Sequence, residues 1–475
     1  MRARALPALA LLAGAAPAAA QDVPVRRVAT ASALSTEPIG AVTGVRELPD
    51  GRVLLNDGAR RRLLLLDTTL RAVGVVLDSL AEVENAYGTR PGALIPYRGD
   101  STLFVDPASY VMLVLDPAGK VARVRSVPRV QDVQWLAGQG GGAGVPGTDG
   151  RGRLVYRVPA RPAPPRVRPP RGVPWIPQDP DSAFVVAMDV EARRLDTLGA
   201  VRTPKRALVV RRLPGGNVDV SDKTNPLPTT DDWAVLPDGA VAFVRAIDYR
   251  VDYRNADGTW TAGPKLPFPW QRLTDADRER LVDSVRASQR RSATTQHVTQ
   301  MIRWVNTYRR AYPAGFAVPE GYAMPLGFGR DWTLPPGASF PARYVFACAA
   351  GEEPTLQGTT PSCIPGPIAP GGDPPPMPTL REPQVMDAAE LPSFRAPFGP
   401  GAVRADADGY LWIRPTPARP TPGGAVYDVV DRTGALADRL QLPPGYQLAG
   451  FGRGRVVFLA MRDASGVRLA RVRLR

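Results

Sequence analysis

Six polar residues occupy places where the chain could hold a ligand, because each lies at or near the end of a short apolar run. They are Asn56, Asp57, Asp106, Arg245, Asp248 and Asp463. Carboxylate and amide oxygens are the ligands that calcium prefers in proteins. We therefore treat these residues as a candidate ligand-binding set. The sequence predicts no cofactor apart from a calcium ion that this set could hold. Asp406 and Asp408, which precede Gly409, offer too few ligands for a calcium loop and are interpreted as a hairpin turn.

Several kinds of catalytic chemistry are excluded by what the chain lacks. Its 475 residues contain one histidine, His297, which removes most histidine-ligated metal sites and most Ser-His or Cys-His nucleophile pairs. Neither a G-x-S-x-G nor a G-x-x-x-x-G-K-[ST] pattern occurs. A dinucleotide fingerprint is formally present at Gly142, Gly144 and Gly147, but it precedes an extended run rather than a helix, so we interpret it as a loop. We predict no catalytic residue.

Positive charge is the second chemical feature of the chain. The formal net charge is +15, and only four of the 60 basic residues are lysines. This arginine bias is typical of a GC-rich genome, so we predict no specific binding of nucleic acid. The runs 151–171 and 202–212 are nevertheless basic and contain no acidic residue. Within the first run, a Pro-rich stretch carries the candidate anion-binding residues Arg161, Arg166, Arg168 and Arg171. A solvated basic loop is the alternative interpretation.

The start of the chain and its two cysteines concern location. Residues 1–20 combine two arginines, an apolar run and a small-residue site ending at Ala20, a pattern typical of a cleaved signal peptide. The apolar run is too short to span a membrane. We therefore expect an exported protein, periplasmic or extracellular, without a transmembrane segment. In an oxidising compartment, Cys348 and Cys363 are expected to form a structural disulfide.

Short apolar runs separated by turn signals recur along the chain. In the first group they cover 42–48, 52–56, 63–67 and 72–77, and an Asp-Gly pair separates the first two. Such spacing predicts a four-stranded antiparallel meander. Further copies follow the same rhythm, and in four copies the third run ends at an aspartate, namely Asp67, Asp116, Asp189 and Asp431. Repetition of this kind predicts a radial all-β fold.

These repeats resemble the six-bladed β-propellers of the NHL-repeat and TolB-like superfamily over roughly 42–266 and 396–475. The last copy offers only three strands, so we expect the segment 23–33 to pair outside 467–474 and close the ring. Closure has a physical motive, because an unpaired edge strand promotes aggregation. Six-bladed lactonases of the gluconolactonase type, which hold calcium with acidic and amide side chains at the channel mouth, resemble this design. That resemblance implies a calcium-assisted hydrolase as an alternative function.

The long insertions are predicted to lie on one side of the ring. In such a blade, the loop between strands two and three and the connection to the next blade emerge on the same face. The insertions 78–92, 159–181, 202–230 and 266–395 all belong to these classes. Only the loop 138–152 is predicted on the opposite side. Insertions concentrated on one face usually mark the binding face, and we call it the insertion-bearing face.

The largest insertion is predicted to begin with a pair of helices and to continue as a Pro-rich segment. Thr274 and Asp277 approximate a capping box, and helical spacing follows from Leu281 to Trp304. The expected domain organisation is a signal peptide at 1–20, a closing strand with four blades at 21–266, the insertion at 267–395 and two further blades at 396–475.

The favoured function is an exported binding or scaffold module. We expect a monomer that contacts a protein partner or a small ligand through the insertion-bearing face. The alternatives are the calcium-assisted hydrolase at the channel mouth and binding of an anionic polymer through the arginine-rich loops. An enzyme is the less favoured class, because no convincing catalytic set is present.

Overall fold

A computed structural model of the protein describes most of the chain. The described residues are 23–29, 31–79, 86–138, 144–159, 180–212, 218–307, 352–357, 360–365, 380, 382–417, 422–463 and 466–474. The predicted signal peptide, the four candidate anion-binding arginines and Cys348 lie outside these residues. The predicted disulfide therefore stays a prediction.

The first half of the chain forms an N-terminal segment and three blades, each named here from its innermost strand outwards. The N-terminal segment carries β1 (Val25–Arg27) and β2 (Ala33–Leu34). Blade one contains β3 (Val42–Glu47), β4 (Val53–Asp57), β5 (Arg62–Leu66) and β6 (Ala72–Asp78). Blade two contains β7 (Ala93–Pro96), β8 (Thr102–Asp106), β9 (Val111–Leu115) and β10 (Val121–Ser126). Blade three contains β11 (Gly147–Thr148), β12 (Leu154–Arg157), β13 (Ser182–Asp189) and β14 (Arg194–Arg202).

The second half forms a hairpin, three more blades and the elements of the large insertion. The hairpin consists of β15 (Ala207–Arg212) and β16 (Val218–Lys223). Blade four contains β17 (Asp232–Val235), β18 (Val241–Arg245), β19 (Arg250–Arg254) and β20 (Trp260–Lys265). The insertion carries a helix at Asp275–Thr307 and a ribbon of β21 (Glu352–Gln357) and β22 (Thr360–Pro365). Blade five contains β23 (Phe398–Ala405), β24 (Leu411–Pro415), β25 (Val426–Val430) and β26 (Leu436–Gln441). Blade six contains β27 (Tyr446–Gly452), β28 (Val456–Asp463) and β29 (Gly466–Arg473).

Hydrophobic cores lie between neighbouring blades. Alternate side chains of a strand point to opposite faces of its sheet, so each blade contributes to two cores. Leu54 packs with Phe104 between blades one and two, whereas the adjacent Leu55 packs with Phe458 between blades six and one. Among the described residues, six such clusters join successive blades around the ring. The protein is a six-bladed β-propeller, which confirms the fold predicted from the repeats.

The recurring aspartates hold the turns that follow the third strands. Asp67 Oδ1 accepts hydrogen bonds from the backbone N–H groups of Thr69 and Arg71, at 2.8 and 2.9 Å. Asp431 Oδ1 does the same for Thr433 and Ala435, at 2.8 and 3.1 Å. A short acidic side chain that accepts from backbone two and four residues ahead stabilises a tight turn. The repeated aspartate is therefore a local structural signal.

The N-terminal segment closes the ring across two blades. Ala33–Leu34 (β2) pairs antiparallel with β29, so it supplies the missing fourth strand of blade six. The pairing predicted for the segment 23–33 is confirmed at Ala33, whereas Val25–Arg27 (β1) pairs in parallel with β26 of blade five instead. Val28, between the two strands, is buried in the core between blades five and six. The segment is long enough to cover both edges, and burial of Val28 fixes the crossing.

Two further expectations need correction. Blade three begins at β11, and Val133–Leu136 forms a short helix, α1, before it. The start of the loop predicted on the opposite face, up to residue 146, therefore belongs to the connection between blades two and three. The predicted helix pair is one helix, α2 (Asp275–Thr307). No Gly or Pro interrupts its sequence, so nothing breaks the helix between its two apolar stretches.

The capping box predicted at the start of α2 is present. Thr274 Oγ1 and backbone N–H both donate to Asp277 Oδ2, at 2.7 and 3.0 Å, and Asp277 N–H donates to Thr274 Oγ1 at 3.2 Å. The reciprocal bonds satisfy backbone donors that have no partner inside the helix. None of the described helices is long and apolar enough to cross a membrane.

Two insertions of the same face share one hydrophobic core. Val282 of α2 packs with Leu227, Val385, Met386 and Leu391. Thr224, just after β16, donates its N–H to Gln384 O at 2.7 Å, and Met386 N–H donates to Thr224 O at 3.0 Å. The hairpin β15–β16, the stretch that follows it, α2 and residues 382–392 thus form a structural unit beside the propeller. We call it the accessory unit.

Candidate functional site

Small-ligand sites commonly have volumes of about 300–1,000 Å³, and a cavity of this size lies on the insertion-bearing face. It has a volume of about 740 Å³ and separates the end of blade three from the accessory unit. Its polar lining includes Asp181, Arg202, Lys205 and Arg206, and its apolar wall includes Leu227 and Leu391. We call it the insertion-face cleft.

The blade side of the cleft is held by backbone hydrogen bonds. Asp231 Oδ2 accepts the N–H of Arg202 at 3.1 Å, and Thr230 Oγ1 donates to Arg202 O at 2.8 Å. Thr203 N–H donates to Asp181 O at 2.8 Å and its hydroxyl donates to Pro180 O at 2.9 Å. The chain therefore leaves β14 along a fixed path, and the basic side chains that follow it start from a rigid backbone.

The accessory side is fixed by polar contacts and by its own core. Asn225 Nδ2 donates to Lys205 O at 3.0 Å, and Asn225 Oδ1 accepts the N–H of Leu227 at 3.0 Å. Leu227 and Leu391 are 9% and 4% exposed, because they belong to the core of the accessory unit. The apolar wall of the cleft is therefore the outer surface of that core.

Positive charge in the cleft is only partly compensated. Arg206 forms two parallel hydrogen bonds with Asp222, both at 2.9 Å. Glu390 is paired with Lys223 at 3.3 Å, and Asp387 lies 3.1 Å from the same ammonium. The carboxylate of Asp387, with help from Glu390, raises the pKa of Lys223. Within the described part of the chain, the side chains of Arg202 and Lys205 have no acidic partner.

Three of the predicted ligand residues gather between blades one and two. Asn56 Nδ2 donates to Gly92 O at 2.7 Å, and its Oδ1 accepts the hydroxyl of Tyr87 at 2.7 Å. Asp57 accepts the backbone N–H groups of residues 40 and 41 at 3.0 to 3.1 Å and lies 3.2 Å from Arg62. Asp106 accepts the N–H of Ala108 at 2.8 Å. All three are buried and hold loops in place.

Tyr87, which donates its hydroxyl hydrogen to Asn56, is itself buried, and its surroundings raise its pKa. Desolvation raises the pKa of Tyr87, and the carboxylates of Asp106 and Asp57 act in the same direction. The hydroxyl is nevertheless bonded on both sides, since it accepts the N–H of Gly92 at 3.0 Å and donates to Asn56. The network is complete without a ligand, so its geometry is that of a structural junction.

The other three predicted ligand residues lie in blades four and six. Arg245 in blade four donates to Asp231 at 3.0 Å, to Asp252 at 2.8 Å and to Ala200 O at 2.8 Å. Asp248, also in blade four, lies 3.3 Å from the ammonium of Lys265. Asp463 in blade six lies 3.0 Å from Arg468. The fold does not bring these residues to one place, and none of the six predicted residues lines the insertion-face cleft.

A calcium site was the alternative chemistry considered for that set. Over the ranges that the structure describes, no group of three or more His, Cys, Asp or Glu side chains lies close enough together to hold a metal ion. The anion-binding prediction for the arginines at 161, 166, 168 and 171 is untested, because these residues lie outside the described ranges.

Asp232, a buried residue near the cleft, has a strongly raised pKa. Asp232 accepts three backbone N–H groups: that of Gly144 in the connection before blade three, that of Trp233 in blade four and that of Val403 in blade five. Burial raises the pKa of Asp232 to about 7, although these three bonds oppose the effect. Asp232 therefore ties three neighbouring blades together at the start of β17.

The sequence contained part of the signal for the cleft. The basic run 202–212 was recognised as a cluster of charge without acidic residues. Nothing local distinguished Arg206, which pairs with Asp222 across the hairpin, from Arg202 and Lys205, which have no such partner. Only the fold shows which cations in the run are compensated.

Fold and cleft together define this protein as a six-bladed β-propeller with an accessory unit on one face. No protein-family model matches the chain, and no curated protein matches it in sequence. Its similarity to known proteins is therefore one of structure.

Solved structures similar to this chain include three chains, all at low identity. A streptogramin B lyase is 9% identical, with 93% of this chain and 86% of that chain covered and a TM-score of 0.31. Regucalcin, a calcium-binding protein from Agrobacterium tumefaciens, is 12% identical, with 95% and 98% covered and a TM-score of 0.35. A gluconolactonase from Xanthomonas campestris is 14% identical, with 52% and 90% covered and a TM-score of 0.23. At these identities the likeness concerns the fold alone.

Proposed function

We propose that this protein is an exported binding or scaffold module that holds a small ligand or a partner at its insertion-bearing face. The observation that carries the proposal is the insertion-face cleft, which is formed by blade three on one side and by the accessory unit on the other. Export rests on the N-terminal sequence pattern.

The accessory unit supports this function because it has a core of its own on the side of the cleft. An insertion that only extended a loop would not bury Val282, Met386 and Leu391 to 4%, 1% and 4% exposure. Pockets between a rigid scaffold and an added unit are frequent ligand sites. The propeller would supply the fixed wall, and the accessory unit would supply the shape of the opening.

The test disrupts the accessory core and leaves the blades intact. Val282→Asp places a charge in that core, whereas the control Val73→Asp makes the same change at a blade-one side chain that is 59% exposed. Both variants and the wild type are screened by thermal shift against small metabolites of positive, negative and neutral charge. A ligand that binds the native state raises the melting temperature.

We expect at least one class of metabolite to stabilise the wild type and Val73→Asp but not Val282→Asp. Circular dichroism checks that the β-sheet signal of Val282→Asp is unchanged. Equal shifts in all three proteins would place binding outside the cleft and contradict the proposal. No shift with any metabolite, together with equal recovery of every protein partner by the wild type and both variants in a pull-down from cell-envelope extract, would contradict it as well.

A further inference from the structure

The charges of the insertion-face cleft point to the chemical class of its ligand. We propose that the cleft binds an oxyanion group, a carboxylate or a phosphate or sulfate ester, that is attached to a compact apolar body. This inference rests on the proposed function, because it assigns a ligand class to the same cleft.

The cations that line the cleft outnumber the acids available to pair with them. Arg202 and Lys205 line the cleft, and in the described structure neither side chain has an acidic partner. Asp181 is the one lining carboxylate whose charge is not already paired with a cation in the described residues, since Glu390 lies 3.3 Å from Lys223. Two uncompensated cations against one acid leave a net positive charge, which favours an anion.

The second step concerns the donors that these cations offer. A guanidinium presents several N–H donors in a plane and an ammonium presents three, and neither accepts a hydrogen bond. Oxyanions accept several hydrogen bonds from such donors, and the charge-assisted bonds are about twice as strong as neutral ones. The charge of Arg206 is compensated by Asp222, at 2.9 Å, so the donors available among the described residues are those of Arg202 and Lys205.

The third step concerns the apolar wall. Leu208, Leu227 and Leu391 line the cleft together with three prolines. Proline and leucine side chains neither donate nor accept hydrogen bonds. A ligand that filled the cleft of about 740 Å³ with polar groups alone would therefore leave many of its polar groups without hydrogen-bond partners. A ligand with an anionic group and an apolar remainder complements both the cationic and the apolar side chains of the cleft.

The competing cavity of the protein provides the matched control. It has a volume of about 440 Å³, lies between blades five and six, and is lined by Arg455, whose side chain has no acidic partner in the described chain. Arg455→Gln removes the same charge as Arg202→Gln, but from a different cavity. The two variants therefore separate a specific effect of the cleft from a general loss of positive charge.

The experiment uses small ligands that share a six-carbon chain and differ in their terminal group. Hexanoate, hexyl phosphate and hexyl sulfate carry the oxyanions, and hexanol and hexylamine are the neutral and cationic controls. Ligand-observed NMR titrations are recorded with the full-length protein as wild type, Arg202→Gln, Lys205→Gln, the double variant, Arg455→Gln and Val282→Asp. The wild type is also titrated at low and high salt, since screening weakens contacts between exposed charges.

We expect the oxyanion probes to bind the wild type more tightly than hexanol and hexylamine. Each single substitution in the cleft should weaken binding about threefold to tenfold, the double variant should weaken it further, and Arg455→Gln should leave it unchanged. The order among the three oxyanions shows whether the cleft prefers a carboxylate, a phosphate ester or a sulfate ester.

Three results would overturn the inference, and they are distinguishable from failure of the proposed function. Equal binding of hexanol and the oxyanions, lost in Val282→Asp, would keep the cleft as the site but reject the anion. Oxyanion binding lost in Arg455→Gln and kept in Arg202→Gln and Lys205→Gln would assign the anion to the other cavity. Oxyanion binding unchanged in Val282→Asp and in both cleft substitutions would reject the cleft itself.

Discussion

Two cavities lined by described residues differ in how their charged groups are used. The insertion-face cleft keeps two cations that have no acidic partner among the residues the structure describes, and it is bounded by an inserted unit. The cavity between blades five and six, which we call the closure cavity, lies where the N-terminal segment completes the ring and is lined by Val23, Pro24 and Arg26 of that segment.

The acidic groups of the closure cavity hold the ring together. Asp406 accepts the N–H of Asp408 and of Tyr410 at 3.0 and 2.8 Å, and the indole N–H of Trp412 at 3.1 Å. Asp408 accepts the N–H groups of Gly454 and Arg455 in blade six, at 3.1 and 2.6 Å. Burial raises the pKa of Asp406.

Asp408 thus joins blades five and six, whereas Asp406 holds the turn between two strands of blade five. The remaining acid, Asp438, is bonded to Arg26 of β1 at 3.0 Å. The volume of a cavity alone therefore does not identify a binding site. The closure cavity has one cation, Arg455, without an acidic partner among the described residues, and its three acids are bonded to its own walls. The insertion-face cleft has two such cations, so it retains the greater capacity to bind an anionic ligand.

The largest expected effect concerns the wall of the closure cavity. Trp412 is 1% exposed and its ring lies 5.2 Å from that of Phe451. Trp412→Ala should lower the free energy of unfolding by about 3–5 kcal/mol, because a large buried side chain is removed. Urea denaturation measures this effect. Binding of the oxyanion probes should be unchanged, and a parallel loss of binding would break the distinction between the two cavities.

The second effect concerns pH and the buried acid that joins blades near the cleft. Because the pKa of Asp232 is raised to about 7, the native state holds its proton in a range where the unfolded chain, with a pKa near 3.8, has lost it. Native Asp232 therefore contributes stability below about pH 4 that is lost as the pH rises towards and through 7, by about 4 kcal/mol in total.

Asp232→Asn tests this contribution by removing the titration. The variant loses one acceptor for backbone N–H groups, so we expect it to be less stable than the wild type at pH 5. Its deficit should shrink between pH 5 and pH 8, since only the wild type loses stability through this group. Urea denaturation across that range measures the difference. Parallel pH profiles would show that Asp232 does not titrate there.

A smaller effect is expected at the contact between blades five and six. Asp408→Asn leaves one oxygen to accept a hydrogen bond where the carboxylate serves Gly454 and Arg455. The free energy of unfolding should fall by about 1 kcal/mol. Chemical denaturation is the measurement. No loss of stability would mean that the acids of the closure cavity are not needed for closure.

The smallest expected effect on stability concerns Arg202, a cation of the insertion-face cleft. Arg202→Gln changes an exposed side chain without an acidic partner in the described structure, so the free energy of unfolding should change by less than about 0.5 kcal/mol. Denaturation of the purified variant measures this value beside the binding titration. A destabilisation as large as that of Asp408→Asn would indicate that Arg202 serves the fold after all.

Much of the ring followed from local sequence. The strand runs, the Asp-Gly turns and the aspartates after the third strands each act over a few residues, so a single sequence displays them. The capping box at Thr274 and Asp277 is equally local, and the structure confirms it. The sequence predicted two helices where the structure has only α2, which contains no Gly or Pro to end it. It also missed the short helix Val133–Leu136 in the connection before blade three.

The candidate site was less predictable, because binding capacity depends on partners far away in the chain. Asn56 and Arg245 were plausible ligand residues until the fold supplied Tyr87 to one and Asp231 to the other. The insertion-face cleft shows the reverse case, since Arg202 and Lys205 belong to an ordinary basic run in the sequence. No local pattern shows that they remain without acidic partners.

The sequence by itself determined that this chain forms repeated antiparallel blades, because alternation of apolar residues and turn chemistry operate between neighbours. Tertiary structure decided that the N-terminal segment spans blades five and six, that two insertions share one core, and which charges stay unpaired. The reason is that burial and charge compensation depend on contacts between residues distant in the chain, and folding alone selects those contacts.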